Sequence, residues 1–302
     1  MNNKAKEYHC GYAALIGRPN VGKSTLMNTI LGQKISITSH RPQTTRHRII
    51  GIKTTAHNQV IYVDTPGIHD NEQRAMNRYM NRTAGSSFKD VDVIILLVDA
   101  MKWTNEDELV IKRLQGVSAP VLLAVNKVDQ IKKKDQLLPY IESIKNKFDF
   151  ADIIPLSAMK GDNVENLEKL IASYMPESEA FYSEDQVTDR SSRFMAAEII
   201  REKLMRNLAQ ELPYNLTVEI EKFTQDGKLL DIAAVIWVER ENQKAIIIGK
   251  GGEQLKSIGT KARIDMEKMF DSKVFLQLWV KVKSGWSDDE RALNSLGYND
   301  DY

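Results

Sequence analysis

The chain has 302 residues, of which 42% are hydrophobic and 27% are charged, a composition typical of folded globular proteins. The formal net charge of +1 gives no overall field that would favour nucleic acid or a membrane surface. The single cysteine, Cys10, excludes an internal disulfide and a cysteine metal cluster, and the length predicts about two domains. Met1–Lys4 shows no secretory signal and the longest apolar run is Val93–Val98, so we expect a cytoplasmic protein.

Residues 11–175 alternate short β-type runs with helical segments. Runs such as Val93–Val98 are apolar on both faces, as buried parallel strands are. The alternation predicts an α/β domain over residues 1–175, with a doubly wound, mostly parallel six-stranded sheet and ligands at the carboxyl ends of the strands. The predicted strands are Tyr12–Ile16, Ile49–Thr54, Val60–Asp64, Val91–Asp99, Val121–Asn126 and Ile153–Leu156. The predicted helices are Lys23–Leu31, Glu72–Phe88, Glu106–Gln115, Gln136–Lys147 and Val164–Tyr174.

The stretch from Gly17 to Ser24 fits the pattern Gly-x-x-x-x-Gly-Lys-Ser/Thr and lies between a predicted strand and a predicted helix. Such a P-loop wraps backbone N–H groups around nucleotide phosphates, and its glycines permit the close approach. We expect Lys23 to reach the β- and γ-phosphates and the Ser24 hydroxyl to hold Mg²⁺. The predicted phosphate-binding residues are Gly17, Asn20, Val21, Gly22, Lys23, Ser24 and Thr25.

Two later segments predict contacts with Mg²⁺ and the γ-phosphate. In a nucleotide switch, a polar loop such as Ser39–Arg46 supplies a threonine to the Mg²⁺; Thr45 is favoured, and Thr44 stays an alternative. In the segment Asp64-Thr65-Pro66-Gly67, which ends a predicted strand, Asp64 can hold Mg²⁺ and the Gly67 N–H can bond the γ-phosphate. The predicted catalytic residues are Lys23, Thr45 and Gly67, and the predicted Mg²⁺ residues are Ser24, Thr45 and Asp64.

The segment Asn126-Lys127-Val128-Asp129 ends another predicted strand and indicates the base. A carboxylate at Asp129 can accept from guanine N1–H and the 2-amino group together, whereas adenine offers neither donor, and a site built for polar groups rejects an analogue that lacks them. Ser157-Ala158 ends the last strand and would offer backbone N–H to guanine O6. The predicted nucleotide is GTP or GDP, with Asn126, Lys127, Asp129, Ser157 and Ala158 around the base.

In this order the motifs resemble those of the Era family of GTPases, with Gly-Arg-Pro-Asn-Val-Gly-Lys-Ser, Pro-Gln-Thr-Thr-Arg, Asp-Thr-Pro-Gly and Asn-Lys-Val-Asp as they stand here. One departure from the Ras-like pattern is Ile68, which stands where Ras has a water-orienting glutamine. An aliphatic side chain cannot orient water by hydrogen bonding. In related GTPases a P-loop asparagine binds K⁺ beside the phosphates, and Asn20 stands at that position; the alternative is that Asn20 only shapes the loop.

Residues 176–192 are acidic and lack a helical or strand pattern, so they are predicted to form a linker. An α+β domain is predicted over residues 193–302. Its predicted elements are a helix over 193–212, strands over 216–223 and 229–239, helices over 245–248 and 253–270, a strand over 274–282 and a last short helix opened by a capping box at Ser287–Glu290. With Gly249-Lys250-Gly251-Gly252 between two helices, this order resembles a type II KH domain, whose Gly-x-x-Gly loop clamps about four nucleotides of single-stranded RNA.

The charge of this second domain is concentrated near the glycine loop. Residues 181–302 hold 18 Lys and Arg against 21 Asp and Glu, whereas residues 244–263 carry five cations and only one carboxylate, Glu253. A focused patch fits a short single strand better than a long duplex, and ordinary solvated helix surface is the alternative. The predicted RNA-binding residues are Gly249, Lys250, Gly251, Gly252, Lys256, Lys261 and Arg263.

The resemblance covers nearly the whole chain and implies a GTP hydrolase that binds the 3′ end of small-subunit ribosomal RNA and helps to mature the small ribosomal subunit. It implies Mg²⁺ and, through Asn20, K⁺ as cofactors. We expect a monomer with no DNA partner, located in the cytoplasm, with peripheral contact to the inner face of the cell membrane as a further expectation. Two alternatives stay open: a metabolic P-loop phosphotransferase, which would need an acceptor pocket and lid, and a GTPase of tRNA modification or membrane transport, which would carry a different appended domain.

Overall fold

The computed structural model describes residues 8–67, 75–86, 90–208, 212–296 and 298. The chain divides into two compact units. The first consists of the described residues of Met1–Ser36, Thr45–Glu72 and Met80–Asp189, and the second of those of Ile37–Thr44, Gln73–Tyr79 and Arg190–Tyr302. Within the described ranges, no helix has both the length and the apolarity needed to cross a membrane.

The first unit is built on a six-stranded sheet with strand order β2-β3-β1-β4-β5-β6, in which β2 is antiparallel to β3 and the other neighbours are parallel. This confirms the predicted doubly wound, mostly parallel sheet. The strands are β1 His9–Ile16, β2 Ile49–Thr54, β3 Asn58–Asp64, β4 Val93–Asp99, β5 Val121–Asn126 and β6 Asp152–Pro155. The helices are α1 Lys23–Leu31, α2 Ala75–Ser86, α3 Asn105–Leu114, α4 Leu137–Ile144 and α5 Val164–Ser173.

The centre of this sheet explains where the sequence motifs lie. Val93–Val98 in β4 are completely buried, because β4 lies between β1 and β5 and its side chains Ile94, Leu96 and Val98 belong to an apolar core with α3. The register aligns Asp99 with Asn126 and Leu15 with Asp64. Parallel strands end at a common edge, so the loops that follow β1, β3, β4 and β5 meet there.

The segment between residues 176 and 189 contains no helix or strand, yet it is held to the first unit by hydrogen bonds. Cys10 N donates to Pro176 O at 3.0 Å, and the Gln59 side chain accepts from Tyr182 N at 2.9 Å. Ile52 N in the edge strand β2 donates to the carbonyl of residue 187 at 2.8 Å. The segment thereby covers backbone groups that an edge strand would otherwise expose.

The second unit has a three-stranded sheet with order β7-β8-β9, where β7 Leu216–Asp226 is antiparallel to β8 Leu229–Val238 and β8 is parallel to β9 Lys273–Val282. Its apolar core packs the sheet against buried residues of α6 and α8. The helices are α6 Ser192–Asn207, α7 Glu241–Ile248, α8 Glu253–Phe270 and α9 Glu290–Ser295. This topology confirms the predicted α+β KH fold.

The two largest differences from the predicted helix boundaries lie in the second unit. Helix α7 begins at Glu241 instead of Ala245, because the Gln243 side chain accepts from Glu239 N at 2.9 Å and from Arg240 N at 3.0 Å and so caps a polar first turn. Such a turn lacks the apolar period that marks a helix. Helix α6 ends at Asn207, where Leu208 becomes extended. The outer parts of the range predicted for α2, 72–74 and 87–88, lie outside the described residues.

Candidate nucleotide-binding site and RNA-binding loop

The P-loop follows β1 and leads into the N-terminus of α1 through two glycines with left-handed backbones. Gly17 has φ 145° and Gly22 has φ 107°. A Cβ on Gly17 would lie 2.5 Å from Leu97 O, and one on Gly22 would lie 2.3 Å from Asn126 Nδ2. Both the backbone conformation and the space therefore require glycine at these positions.

Lys23 is the buried cation of this loop, with 6% of its surface exposed. Its Nζ donates to Gly17 O at 2.9 Å and to Arg18 O at 3.0 Å, which holds the ammonium at the mouth of the loop. Burial lowers the pKa of Lys23 to about 8, the Asp64 carboxylate raises this pKa, and the positive charge of Arg18 lowers it. A phosphate group at this position would favour the charged form again.

Three hydroxyl side chains converge next to the P-loop around the fully buried Asp64 carboxylate. Its Oδ2 accepts from Ser24 Oγ at 2.6 Å and from Ser36 Oγ at 2.8 Å, and Ser24 Oγ lies 2.9 Å from Thr45 Oγ1. Burial raises the pKa of Asp64, whereas Ser24, Lys23, Ser36 and Thr45 lower it. Asp64 Oδ1 is buried without a hydrogen-bond partner among the described residues. Hard oxygen donors with one unsatisfied carboxylate oxygen fit Mg²⁺.

The structure separates the two threonines that the sequence left as alternatives. Thr45 Oγ1 faces Ser24, whereas Thr44 Oγ1 donates to Arg41 O at 2.7 Å. The geometry therefore favours Thr45 for the metal.

Ser36 was missed by the sequence analysis. It is fully buried, and Asn28 holds its backbone by accepting from Ser36 N at 2.9 Å and donating to Ser36 O at 2.7 Å. A single serine between Ile35 and Ile37 gives no local signal of a metal site, because its role depends on Asp64, 28 residues further along the chain.

Gly67 lies against the P-loop, since a Cβ there would be 2.8 Å from Pro19 Cγ. The structure thus brings the predicted γ-phosphate donor to the phosphate-binding loop. Ile68 lies outside the described residues. Asn20 is exposed and adopts a left-handed backbone with φ 65°, so it does shape the loop, and its proposed K⁺ contact stays a prediction.

The Asn126 side chain bonds three loops to one another, and we call it the brace of the site. Asn126 is only 2% exposed. Its Nδ2 donates to Val21 O in the P-loop at 2.7 Å. Its Oδ1 accepts from Lys127 N at 2.7 Å and from Ala158 N at 2.9 Å. Ser157-Ala158 was predicted to offer backbone N–H to guanine O6. The Ala158 N–H is already bonded within the protein, and a base that uses it would share or replace that bond.

The remaining base-site residues are oriented by their neighbours. Asp129 Oδ1 accepts from Ser157 Oγ at 2.6 Å, which fixes the direction of the exposed carboxylate. Lys127 has a left-handed backbone with φ 68°, and its Nζ donates to Asp99 Oδ2 at 2.8 Å. Thr29 Oγ1, on α1, donates to Ala158 O at 2.7 Å and so ties the last loop to the helix that follows the P-loop.

In the second unit, the glycine loop joins α7 to α8 through three glycines with positive φ. Gly249, Gly251 and Gly252 have φ values of 72°, 60° and 81°. A Cβ on Gly251 would meet nothing within 4 Å, whereas one on Gly249 would lie 2.7 Å from Gln254 Cβ. Gly249 is thus required by packing, and Gly251 leaves an open approach to the backbone.

The predicted cations around this loop differ in their exposure and in their bonds to other side chains. Lys250 and Lys256 are exposed, and Arg263 lies seven residues, about two turns, beyond Lys256 on the same face of α8. Arg263 Nη1 lies 3.0 Å from Glu267 Oε1, and Lys261 Nζ donates to Asn207 Oδ1 at 2.7 Å. The structure therefore brings Lys250 and Lys256 to the loop surface and gives Lys261 and Arg263 protein partners.

Ile246, an exposed apolar residue beside this loop, was not among the predicted RNA-binding residues. Ile246 on α7 is 52% exposed one turn before Gly249, while its neighbour Ile247 is fully buried. The signal in the sequence is a run of three isoleucines in a short helix, which can bury only one face.

The relatives of the chain cover both units. The profile of the 50S ribosome-binding GTPase family matches residues 12–127, and that of the KH domain matches residues 211–287. GTPase Era of Pseudomonas aeruginosa (strain LESB58) is 62% identical over 291 residues, which span 96% of this chain and 95% of that protein. GTPase Era of Pseudomonas savastanoi pv. phaseolicola is 59% identical over 298 residues, 99% of each chain.

Two solved structures match with a TM-score of 0.93, and each alignment covers 96% of this chain and 99% of the other. One is a single-substitution variant of Aquifex aeolicus Era bound to GDP and AlF₄⁻, at 38% identity. The other is Era in complex with MgGDPNP and nucleotides 1506–1542 of 16S ribosomal RNA, at 39% identity. On the motifs, the fold of each unit and the identity along almost its whole length, the chain belongs to the Era family of GTPases.

Proposed function

We propose that this GTPase couples a cycle of GTP binding and hydrolysis to the binding of single-stranded RNA at the 3′ end of small-subunit ribosomal RNA, during assembly of the small ribosomal subunit. The observation that carries the proposal is that one chain contains two sites. One is the set of nucleotide loops that Asn126 holds together, and the other is a glycine loop on which Lys250 is exposed. The likeness to the Era structure that contains 16S ribosomal RNA nucleotides supports the choice of RNA.

At the nucleotide, we assign the phosphates to the P-loop N–H groups and Lys23, and the γ-phosphate also to the Gly67 N–H. Ser24 and Thr45 would hold Mg²⁺, with Asp64 behind them, as their 2.6 and 2.9 Å contacts support. A bound Mg²⁺ supplies charge neutralisation for the phosphates. The side chains of this chain keep that region oriented and dry, since Asp64 and Thr45 are buried.

We also propose that Asn20 is a K⁺ ligand, supported by its exposed side chain and left-handed backbone in the P-loop. GTP turnover measured in KCl and in NaCl of equal ionic strength tests this. Turnover should be about tenfold slower in Na⁺, and Asn20→Ala should remove the difference. Equal turnover in the two salts would contradict the K⁺ site and leave the GTPase assignment intact.

The RNA assignment is tested with the double variant Lys250→Asp/Gly251→Asp. It removes one cation, adds two anions and places a side chain at an open backbone position. Binding of an oligonucleotide with the 3′-terminal small-subunit sequence should weaken at least tenfold, about 1.4 kcal/mol, and its salt dependence should become shallower. Basal GTP hydrolysis should persist, because its groups all belong to the first unit.

The β7–β8 turn offers a matched control, because Gly227 also has a positive φ of 58°, leaves open space around a Cβ and precedes the exposed Lys228. Gly227→Asp/Lys228→Asp makes the same chemical change and should keep native RNA affinity. Equal weakening by both double variants would mean that net charge alone acts. Native affinity in the Lys250/Gly251 variant would place the RNA contact elsewhere.

We propose the cytoplasm as the place of action, because that is where bacterial small ribosomal subunits are assembled, with the inner face of the cell membrane as a secondary, peripheral location. We further propose that the monomer is the working form and that DNA is not a partner. Fractionation and sedimentation velocity test these points: most of the protein should co-sediment with small subunits, and the isolated protein should run as one 34.4 kDa species. Recovery mainly in salt-washed membranes, or a stable dimer, would contradict them.

A further inference from the structure

A buried ion pair begins at Arg18, a P-loop residue that none of the nucleotide contacts above uses through its side chain. The Arg18 side chain is 8% exposed, and its Nε donates to Asp107 Oδ2 at 3.1 Å. Asp107 is fully buried in the first turn of α3, 89 residues further along the chain. Removing one partner of a buried pair leaves an uncompensated charge, so each side chain fixes the place of the other.

Asp107 also caps helix α3, but this role by itself does not explain its pairing with Arg18. Its Oδ2 accepts from Thr104 N and from Thr104 Oγ1, both at 2.8 Å, and so caps α3. A cap needs no cation and can be made at a solvated surface. Here Asp107 Oδ1 and Arg18 Nη2 are both buried without a hydrogen-bond partner in the described part of the chain. Such unsatisfied atoms cost stability, and a role in the site accounts for their retention better than capping does.

The network continues from Arg18 to the predicted guanine-binding segment Asn126–Asp129. Arg18 Nη2 lies 3.6 Å from Asp99 Oδ2, and Lys127 Nζ donates to the same oxygen at 2.8 Å. Asp99 ends β4, and Lys127 follows the end of β5. The charges Asp107, Arg18, Asp99 and Lys127 thus run in alternating sign from α3 through the P-loop to the base-binding segment.

The backbone of Arg18 connects this network to the phosphate site. Its carbonyl accepts from Lys23 Nζ at 3.0 Å, so a shift of Arg18 moves an acceptor that holds the lysine. Lys23 Nζ also donates to Gly17 O at 2.9 Å, so both carbonyls that hold the lysine belong to Arg18 and to the residue before it.

We propose that Asp107 is a positioning residue for nucleotide binding. Through Arg18 it holds the P-loop in its binding conformation and keeps that loop tied to Lys127, acting through these side chains and not on the nucleotide itself. The inference rests on the guanine-nucleotide cycle proposed above, and it adds α3 to the parts of the chain that determine affinity for GTP and GDP.

The test uses the full-length chain with Asp107→Asn, Arg18→Gln and the double variant. Glu108→Gln is the matched control, because Glu108 is the next residue of α3, makes an ion pair with Lys147 and is 40% exposed. For each protein, a fluorescent GDP or GTP analogue gives the Kd and the release rate, and steady-state hydrolysis gives kcat and KM. A thermal melt without nucleotide reports stability separately.

Each single variant should raise the Kd for GDP and GTP by about 10- to 100-fold, with KM rising in parallel and kcat within threefold of native. The Kd of the double variant should not exceed that of the single variant that binds the nucleotide less tightly, because the losses of two residues that act as one unit do not add. Arg18→Lys keeps a cation near Asp107 and should recover part of the affinity. The control should stay within twofold of native.

A lower melting temperature with a Kd within threefold of native would make Asp107 a helix cap only and overturn the proposal. Additive losses in the double variant, or a fall in kcat at unchanged KM, would overturn it as well. Should Asp107→Asn fail to fold, the Arg18→Gln and Arg18→Lys proteins carry the same comparison of Kd with stability. Native protein that binds no GDP would instead overturn the proposed nucleotide cycle.

Discussion

Replacement of Asn126 by Asp is the sharpest single test of how the nucleotide loops are held together. The exchange keeps the size of the side chain and the two bonds that Oδ1 accepts from Lys127 N and Ala158 N. It replaces the Nδ2 donor, which lies 2.7 Å from Val21 O, by an oxygen. Two acceptors would then face each other in a site that is 2% exposed.

The magnitude follows from the burial of that one bond. A buried carbonyl that loses its donor costs about 1–3 kcal/mol, and a buried carboxylate adds to this cost. Because Val21 lies in the P-loop, the loop of the free variant can move away, and the cost then falls on nucleotide binding. At about 1.4 kcal/mol for each factor of ten, affinity for GDP should fall roughly 5- to 140-fold.

Titration with a fluorescent GDP analogue measures this loss, and a thermal melt reports the share that falls on folding. The defect should shrink as the pH is lowered, because a protonated Asp can donate to Val21 O. Asn166→Asp is the control, since Asn166 is exposed and its Nδ2 makes a single bond of 2.7 Å to Asn163 Oδ1. A Kd within threefold of native, together with an unchanged melting temperature, would refute the role of Asn126 as the brace.

Three further outcomes follow from the same site. Asp129→Asn should weaken GTP binding by several kcal/mol and allow xanthine nucleotides to compete, because the carboxylate that Ser157 orients at 2.6 Å loses its charge; unchanged guanine preference in a competition assay would contradict the base assignment. Ser36→Ala removes one bond to Asp64, and the Mg²⁺ concentration for half-maximal hydrolysis should rise about tenfold, whereas Ser173→Ala on the exposed side of α5 should not change it. Lysine ¹³C NMR should show one residue with a pKa of about 8, and this signal should be absent from the Lys23→Arg variant. GDP should raise this pKa, because its phosphates favour the charged ammonium. A pKa that GDP does not change would contradict the assignment.

The features that could be predicted from the sequence are those with local signals. The apolar run in β4 is buried throughout. The P-loop follows β1, and Asp64 and Asn126 are the last residues of β3 and β5, so all of them lie at one edge of the sheet. Parallel pairing then brings segments far apart in the chain together without further information, as the register of Asp99 with Asn126 illustrates.

The features that could not be predicted depend on contacts between distant residues. Ser36 acts on Asp64 over 28 positions, and Arg18 pairs with Asp107 over 89. The Ala158 N–H, which belongs to the segment predicted to meet guanine O6, bonds Asn126 over 32 positions. Nothing in the residue types alone separates these pairs from solvated polar side chains, because the choice of partner is made by the packing of the sheet.

These internal bonds change how affinity for the nucleotide arises. Ser24 and Thr45 already bond one another beside Asp64, and the single N–H of Ala158 already bonds Asn126. A contact with the nucleotide that replaces such a bond has a net contribution closer to about 1 kcal/mol than to the 4–6 kcal/mol of an isolated hydrogen bond. Lys23 and Asp129 differ, because the ammonium keeps a third N–H and the carboxylate keeps free lone pairs for the nucleotide. The larger gain comes from loops that are already in place, because little ordering is left to accomplish on binding. Side chains that never contact the nucleotide, such as Asn28 behind Ser36 and Asp107 behind Arg18, therefore belong to the binding site as much as the residues of its motifs.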